Sequence, residues 1–120
     1  MIDFISNLPE NIIGVKVSGD VTKEEYEKEF IPEMNKRIAG KSTINYLVLL
    51  TTNVSNIEIG AWWDDFKMAI EHIGHWRRVA IISNQKMINK LISIMGFLLP
   101  GKHKGFSLNE YDEAVFWLND

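Results

Sequence analysis

The residues in this chain best equipped for chemistry are three histidines, His72 and His75 within "EHIGHWRR", and His103. Two imidazoles at that spacing, with Glu71 alongside, supply part of a zinc site, which needs further ligands in tetrahedral array. Gly74 between them marks a helix end instead, where imidazole suits the helix dipole, so capping and surface roles are expected and no metal. Asp64 and Asp65 are adjacent, and on a helix their side chains point about 100° apart. That is a poor arrangement for shared acid and base work, and a solvated face is expected. The sequence has no Gly-x-Ser-x-Gly elbow, no Gly-x-x-x-x-Gly-Lys loop and no dinucleotide fingerprint. It has no cysteine, hence no thiol nucleophile, thiolate ligand or disulfide. No enzyme activity and no cofactor are expected.

Binding features are more prominent. "TTNVSN" follows an apolar strand and offers Thr51, Thr52, Asn53 and Ser55, at the kind of place where ligands of open parallel sheets sit. Helix capping is their first expected role, with phosphorylation of Thr51, Thr52 or Ser55 as the alternative. Trp62 and Trp63 are one helical step apart, so one can face the core while the other lies at the rim. Either both are core aromatics or Trp62 lines a pocket or contact surface. "INKLISIMGFLLP", Ile88 to Pro100, reads as a helix with an apolar surplus. On a helical wheel Leu98, Leu91, Ile94, Met95, Ile88, Leu99 and Ile92 fill an arc of roughly 160°. A core-facing stripe needs about 100° or somewhat more. Ile92 and Leu99 lie at the edge of the arc, and Phe97 projects from the polar side. Burying each would contribute roughly 1.5 to 3 kcal/mol, which a ligand, a bilayer or a second copy could recover; burial against the sheet is the plainer account. Gly96 would permit a bend, and "PGKHKG" adds a turn with a small basic cluster, Lys102, His103 and Lys104, a pattern seen in helices that touch membrane surfaces.

These residues need a scaffold, and 120 residues suit one domain. Hydrophobic residues make up 46% and charged ones 24%, the balance of a chain that folds alone. The net charge of -3 gives no reason to expect nucleic-acid binding, which depends on clustered Lys and Arg. The start "MIDFISNLPE" lacks a basic leader and a long apolar run, and no stretch is long enough to span a bilayer, so a cytoplasmic location is expected. "IDFIS" and "NIIGVKVSGD" read as an antiparallel hairpin. Thr22 and Glu25 form a capping box before a helix that Pro32 kinks or restarts. "INYLVLL" and "RVAIIS" read as strands buried on both faces, with the helix "IEIGAWWDDFKMAIEHI" between them. Asn84 caps the apolar helix; "KGFSL" is an edge strand. Ser107 and Glu110 open a last amphipathic helix on Tyr111, Ala114, Val115 and Leu118. The expected class is α/β, order ββαβαβαβα, with a mixed sheet of four to five strands and about four helices.

"AWWDDFKMAIEH", "WRRVAIIS" and "EYDEAVFWLND", in this order and at these separations, resemble the bacterial SpoIIAA-like family, relatives of the STAS domains of sulfate transporters and anti-sigma factor antagonists. The shared residues are Trp63 and Asp65, then Arg78, Val79 and Ala80, then Glu113, Ala114, Trp117 and Leu118. "VSGDVTKEEYEKEFIPEM" is similar to the family's strand, turn and first helix. The resemblance covers almost the whole chain and implies a single STAS-like domain over residues 1–120, similar to lipid-binding CRAL-TRIO folds and without established enzyme activity. It implies binding of a lipid or other apolar small molecule, peripheral association with the inner face of a membrane, and helices that move over a cavity. The apolar helix from Met87 to Leu99 is then a cover over Trp62, Trp63 and Phe66, with Leu91, Ile92, Met95, Phe97, Leu98 and Leu99 completing the apolar lining. A homodimer through the same surplus stays open, as does a STAS-type regulatory interaction domain. Two features depart from these relatives. The antagonists' phosphorylatable Asp-Ser pair is replaced by Thr51 to Ser55, and a Gly-Asp followed by Trp after the "RVAI" strand is replaced by Ser83 and Asn84, with no Trp in the helix beyond.

Overall fold

In the computed structural model, residues 1–53, 61–62, 76–95 and 101–120 are described. The N-terminal alternation becomes an antiparallel pair, β1 (Ile2–Phe4) and β2 (Ile12–Val17), with Ile2 opposite Val17 and Phe4 opposite Val15. The later strands β3 (Ile44–Leu50), β4 (Trp76–Ile82) and β5 (Lys102–Phe106) add in parallel, giving one mixed sheet in the order β1-β2-β3-β4-β5. Because spatial order follows chain order, the crossovers from β2 to β3 and from β4 to β5 step in one direction, and right-handed connections put their helices on one face.

Pro32 accounts for the shape of the first helical arm. Residues Glu25–Phe30 form a π-helical segment in which the Ile31 amide reaches back to the Tyr26 carbonyl, and α1 (Ile31–Ile38) starts there with Pro32 in its first turn. A proline lacks the amide needed inside a helix and is tolerated where a new helix begins. The other helices are α2 (Gln85–Met95) and α3 (Tyr111–Asn119). Asn84 does cap α2, its Oδ1 accepting the Met87 amide at 2.9 Å. Most of the helix expected between β3 and β4 lies outside the described residues; Ala61 and Trp62 within it are helical. The described elements therefore run ββαββαβα, with three helices where about four were expected.

The sheet has a core on each face. One joins Val15, Val79 and Ile81 of the strands to Tyr26, Phe30, Met34 and Ile38 of the first arm and to Met87, Ile88 and Leu91 of α2. The other joins Ile12, Leu47, Ala80, Ile82 and Phe106 to Ala114 and Leu118 of α3. The period of two along each strand divides its residues between these faces.

β4 begins at Trp76, two residues before the expected start, because its pairing slips at the strand entry. Ile44 pairs with Trp76, whereas Asn45 pairs with Arg78. This bulge sets two residues against one and turns Trp76 into the α2-side core, 5.0 Å edge-on from the Tyr46 ring. It also lets consecutive arginines reach the same helix: Arg77 donates to the Leu118 carbonyl at 3.1 Å and Arg78 to the Trp117 carbonyl. Those are orphan acceptors of the last turn of α3, where cations are favoured.

Candidate functional site

The α2-side face carries an aromatic run that begins at the first helical arm. Tyr26 lies 5.2 Å from Phe30 and 6.2 Å from Trp62, ring centre to ring centre, and Phe4 stacks on Phe30 at 5.9 Å. The Tyr26 hydroxyl donates to the Trp62 backbone carbonyl at 2.7 Å. Trp62 is thereby held by a bond to its backbone and a ring against its side chain, while the side chain itself is half-buried against the core. On α2, Met87, Ile88 and Leu91 are buried, and Ile92 packs on the same core half-buried. Met95 ends the helix.

Of the expected lining, then, Trp62, Leu91 and Ile92 share one face, with Leu91 part of the structural core. Trp63, Phe66, Phe97, Leu98 and Leu99 lie outside the described residues, as do Ser55, His72 and His75. Burial pushes the Tyr46 hydroxyl, in the same core, far above its ordinary range and keeps it protonated near neutral pH. Among the described residues no three of the His, Asp and Glu side chains converge on a metal position, and no helix is long and apolar enough to cross a membrane.

The polar loop beyond β3 is tied into the sheet. The Thr51 amide and hydroxyl both donate to the Val17 carbonyl, at 3.0 and 3.2 Å. Asn84 donates to Asn53 at 3.3 Å, and the buried Ser83 hydroxyl donates to the Leu50 carbonyl at 2.7 Å. Thr51 is nonetheless exposed and Thr52 half-buried. Ligand crevices in parallel sheets arise where strand order reverses; β2 to β5 have no reversal, so the loop's position alone does not single it out.

The basic cluster expected in a turn beside the apolar helix is instead strand β5. Gly105 lies beneath α2, where an added Cβ would come within 2.5 Å of Ile88. Lys104, one residue earlier, must therefore take the opposite face, and its Nζ sits 5.2 Å from the Phe106 ring there. Lys102 shares its parity. The lysines and the apolar flank of α2 are separated by the thickness of the sheet, the reverse of a one-sided membrane-binding surface.

That opposite face holds an open groove of about 460 Å³ between α3 and β5, lined by Lys104, Phe106, Asp112, Glu113, Phe116, Trp117 and Asp120. Phe116 is 75% exposed. Sequence reading assigned α3 to core cover through Tyr111, Ala114, Val115 and Leu118 and passed over Phe116. The available signal was its angle, about 150° from the middle of that stripe at 100° per residue. A family model described as SpoIIAA-like matches residues 12–119. No curated protein and no solved structure matches the chain.

Proposed function

The chain belongs to the SpoIIAA-like family, and from that premise we propose that it is a non-enzymatic binding module for a lipid or other apolar small molecule, held on the α2-side face beside Trp62 and Ile92. One observation carries the reading: Tyr26 fixes a half-buried tryptophan beside the helical face of the core through a backbone hydrogen bond and a stacked ring. A rigid aromatic that loses little side-chain freedom is well suited to cover an apolar ligand. In this proposal the segment from Met87 to Leu99 serves as the cover, and Trp63, Phe66, Met95, Phe97, Leu98 and Leu99 extend the lining. Peripheral membrane contact draws no support from Lys102 and Lys104, which occupy the other face.

Native mass spectrometry of the purified full chain, with titration of a long-chain fatty acid followed by tryptophan fluorescence, tests the proposal. A retained or titratable apolar adduct is expected, with affinity reduced about tenfold or more by Trp62→Ala, as for a central aromatic anchor. A folded protein that takes up no fatty acid or extracted lipid would refute it. A second reading, a STAS-type regulatory interaction domain, draws on Thr51, which is exposed at the carboxyl end of β3. Phosphate on Thr51 or Thr52, or a stoichiometric protein partner without bound lipid, would favour that reading.

A further inference from the structure

The outer face of α3 has the composition of an interface. Phe116 stands between the exposed Asp112 and Glu113 on the helix surface, and the groove beside it is lined by the Phe106 and Trp117 rings with Lys104 across from the carboxylates. Trp117 is braced from behind by Arg78, whose guanidinium lies 5.0 Å from the ring centre and 3.8 Å from the Asp120 carboxylate. A large exposed aromatic beside an aromatic groove, rimmed by charges of both signs, is a patch that can complement itself under a twofold rotation.

We infer that two copies of this chain pair through α3 and β5, each Phe116 seating in the other's groove and Lys104 of one copy facing Asp112 and Glu113 of the other. Charge complementarity selects the second copy: the rim supplies both the cation and the carboxylates that a twofold contact requires. An anionic surface or nucleic acid would instead meet Asp112, Glu113 and Asp120. Edge-to-edge pairing of β5 would bring the exposed Lys102 and Lys104 of two strands against each other, a device that protects sheet edges from association. The contact leaves the α2-side face open, so it stands independently of any ligand there.

Sedimentation equilibrium of the full chain, from about 1 µM to 1 mM, spans the affinities of weak to moderate interfaces. A monomer–dimer equilibrium is expected. Phe116→Ser should weaken it about tenfold or more, the effect of losing a central anchor, and circular dichroism should be unchanged because the side chain is outside the core. Lys104→Glu and Glu113→Lys should each weaken association, and the double variant carrying both should recover it. A wild type that stays monomeric throughout the range would overturn the inference. So would a dimer insensitive to Phe116→Ser, or a double variant no stronger than the two singles.

Discussion

Gly101 enters β5 with φ of +82°, and an added Cβ would lie 2.5 Å from the Arg77 carbonyl oxygen. Gly40, which ends α1's turn with φ of +80°, has nothing within 4 Å of the same construction. The pair separates two costs that usually travel together. Alanine at either site adopts a left-handed backbone at about 1 to 2 kcal/mol; at position 101 it must also displace backbone of the neighbouring strand. Gly40→Ala should therefore lower Tm by roughly 3 to 10 °C, and Gly101→Ala by more than about 10 °C, taking roughly 3 to 5 °C per kcal/mol at this chain length. Thermal melts by circular dichroism compare them directly. Equal drops would mean that the strand edge at Arg77 yields easily.

At the scale of elements, each of the two capping boxes read from sequence forms one characteristic bond. The Thr22 hydroxyl accepts the Glu25 amide at 3.0 Å, but the Glu25 carboxylate accepts the Ile2 amide at 2.6 Å, tying the helical arm to β1. At α3 the Glu110 carboxylate accepts the Ser107 amide at 2.8 Å and the Ser107 hydroxyl at 2.7 Å. These bonds, with the Ser107 amide the largest influence, hold Glu110 below its ordinary value of 4.5. A lowered folded-state pKa stabilises the fold above the unfolded value and loses that contribution as pH falls through the folded one. Glu110→Gln should therefore be less stable than the parent at pH 7, with the difference shrinking below about pH 4.5. Urea unfolding at pH 7 and pH 3 checks it, and a difference independent of pH would count against the carboxylate. β3 and β4 were legible as continuous apolar runs because both faces of the sheet are covered. The bulge at Trp76 was not, since it depends on pairing with Ile44, on a neighbouring strand that is remote along the chain. The same limit applies at the site: a step of about 100° allowed one of Trp62 and Trp63 to sit at a rim, but the Tyr26 hydroxyl that holds Trp62 comes from 36 residues away.

Among the described residues, the two faces of the sheet are covered unequally. The first arm and α2 cover one face, whereas α3, aided by Ile5 and Leu8, covers the other. The central strands nevertheless contribute to both cores: Val79 and Ile81 of β4 face α2 while Ala80 and Ile82 face α3, all four buried. Loss of α3 would expose Leu47, Ile82 and Phe106, so the sheet should not survive without it. Arg77 reinforces the connection by donating to both the Asn45 side chain in β3 and the Leu118 carbonyl in α3, each at 3.1 Å. Leu118 is fully buried, and Leu118→Ala should cost about 2 to 5 kcal/mol, a large share of the 5 to about 15 kcal/mol typical of a domain. If the sheet couples the faces, urea unfolding of this variant shifts to lower concentration in one transition, with tryptophan fluorescence and far-ultraviolet circular dichroism coincident. Separate transitions, with the α3 signal lost first, would show that the α2-side core persists alone and that α3 is an accessory layer.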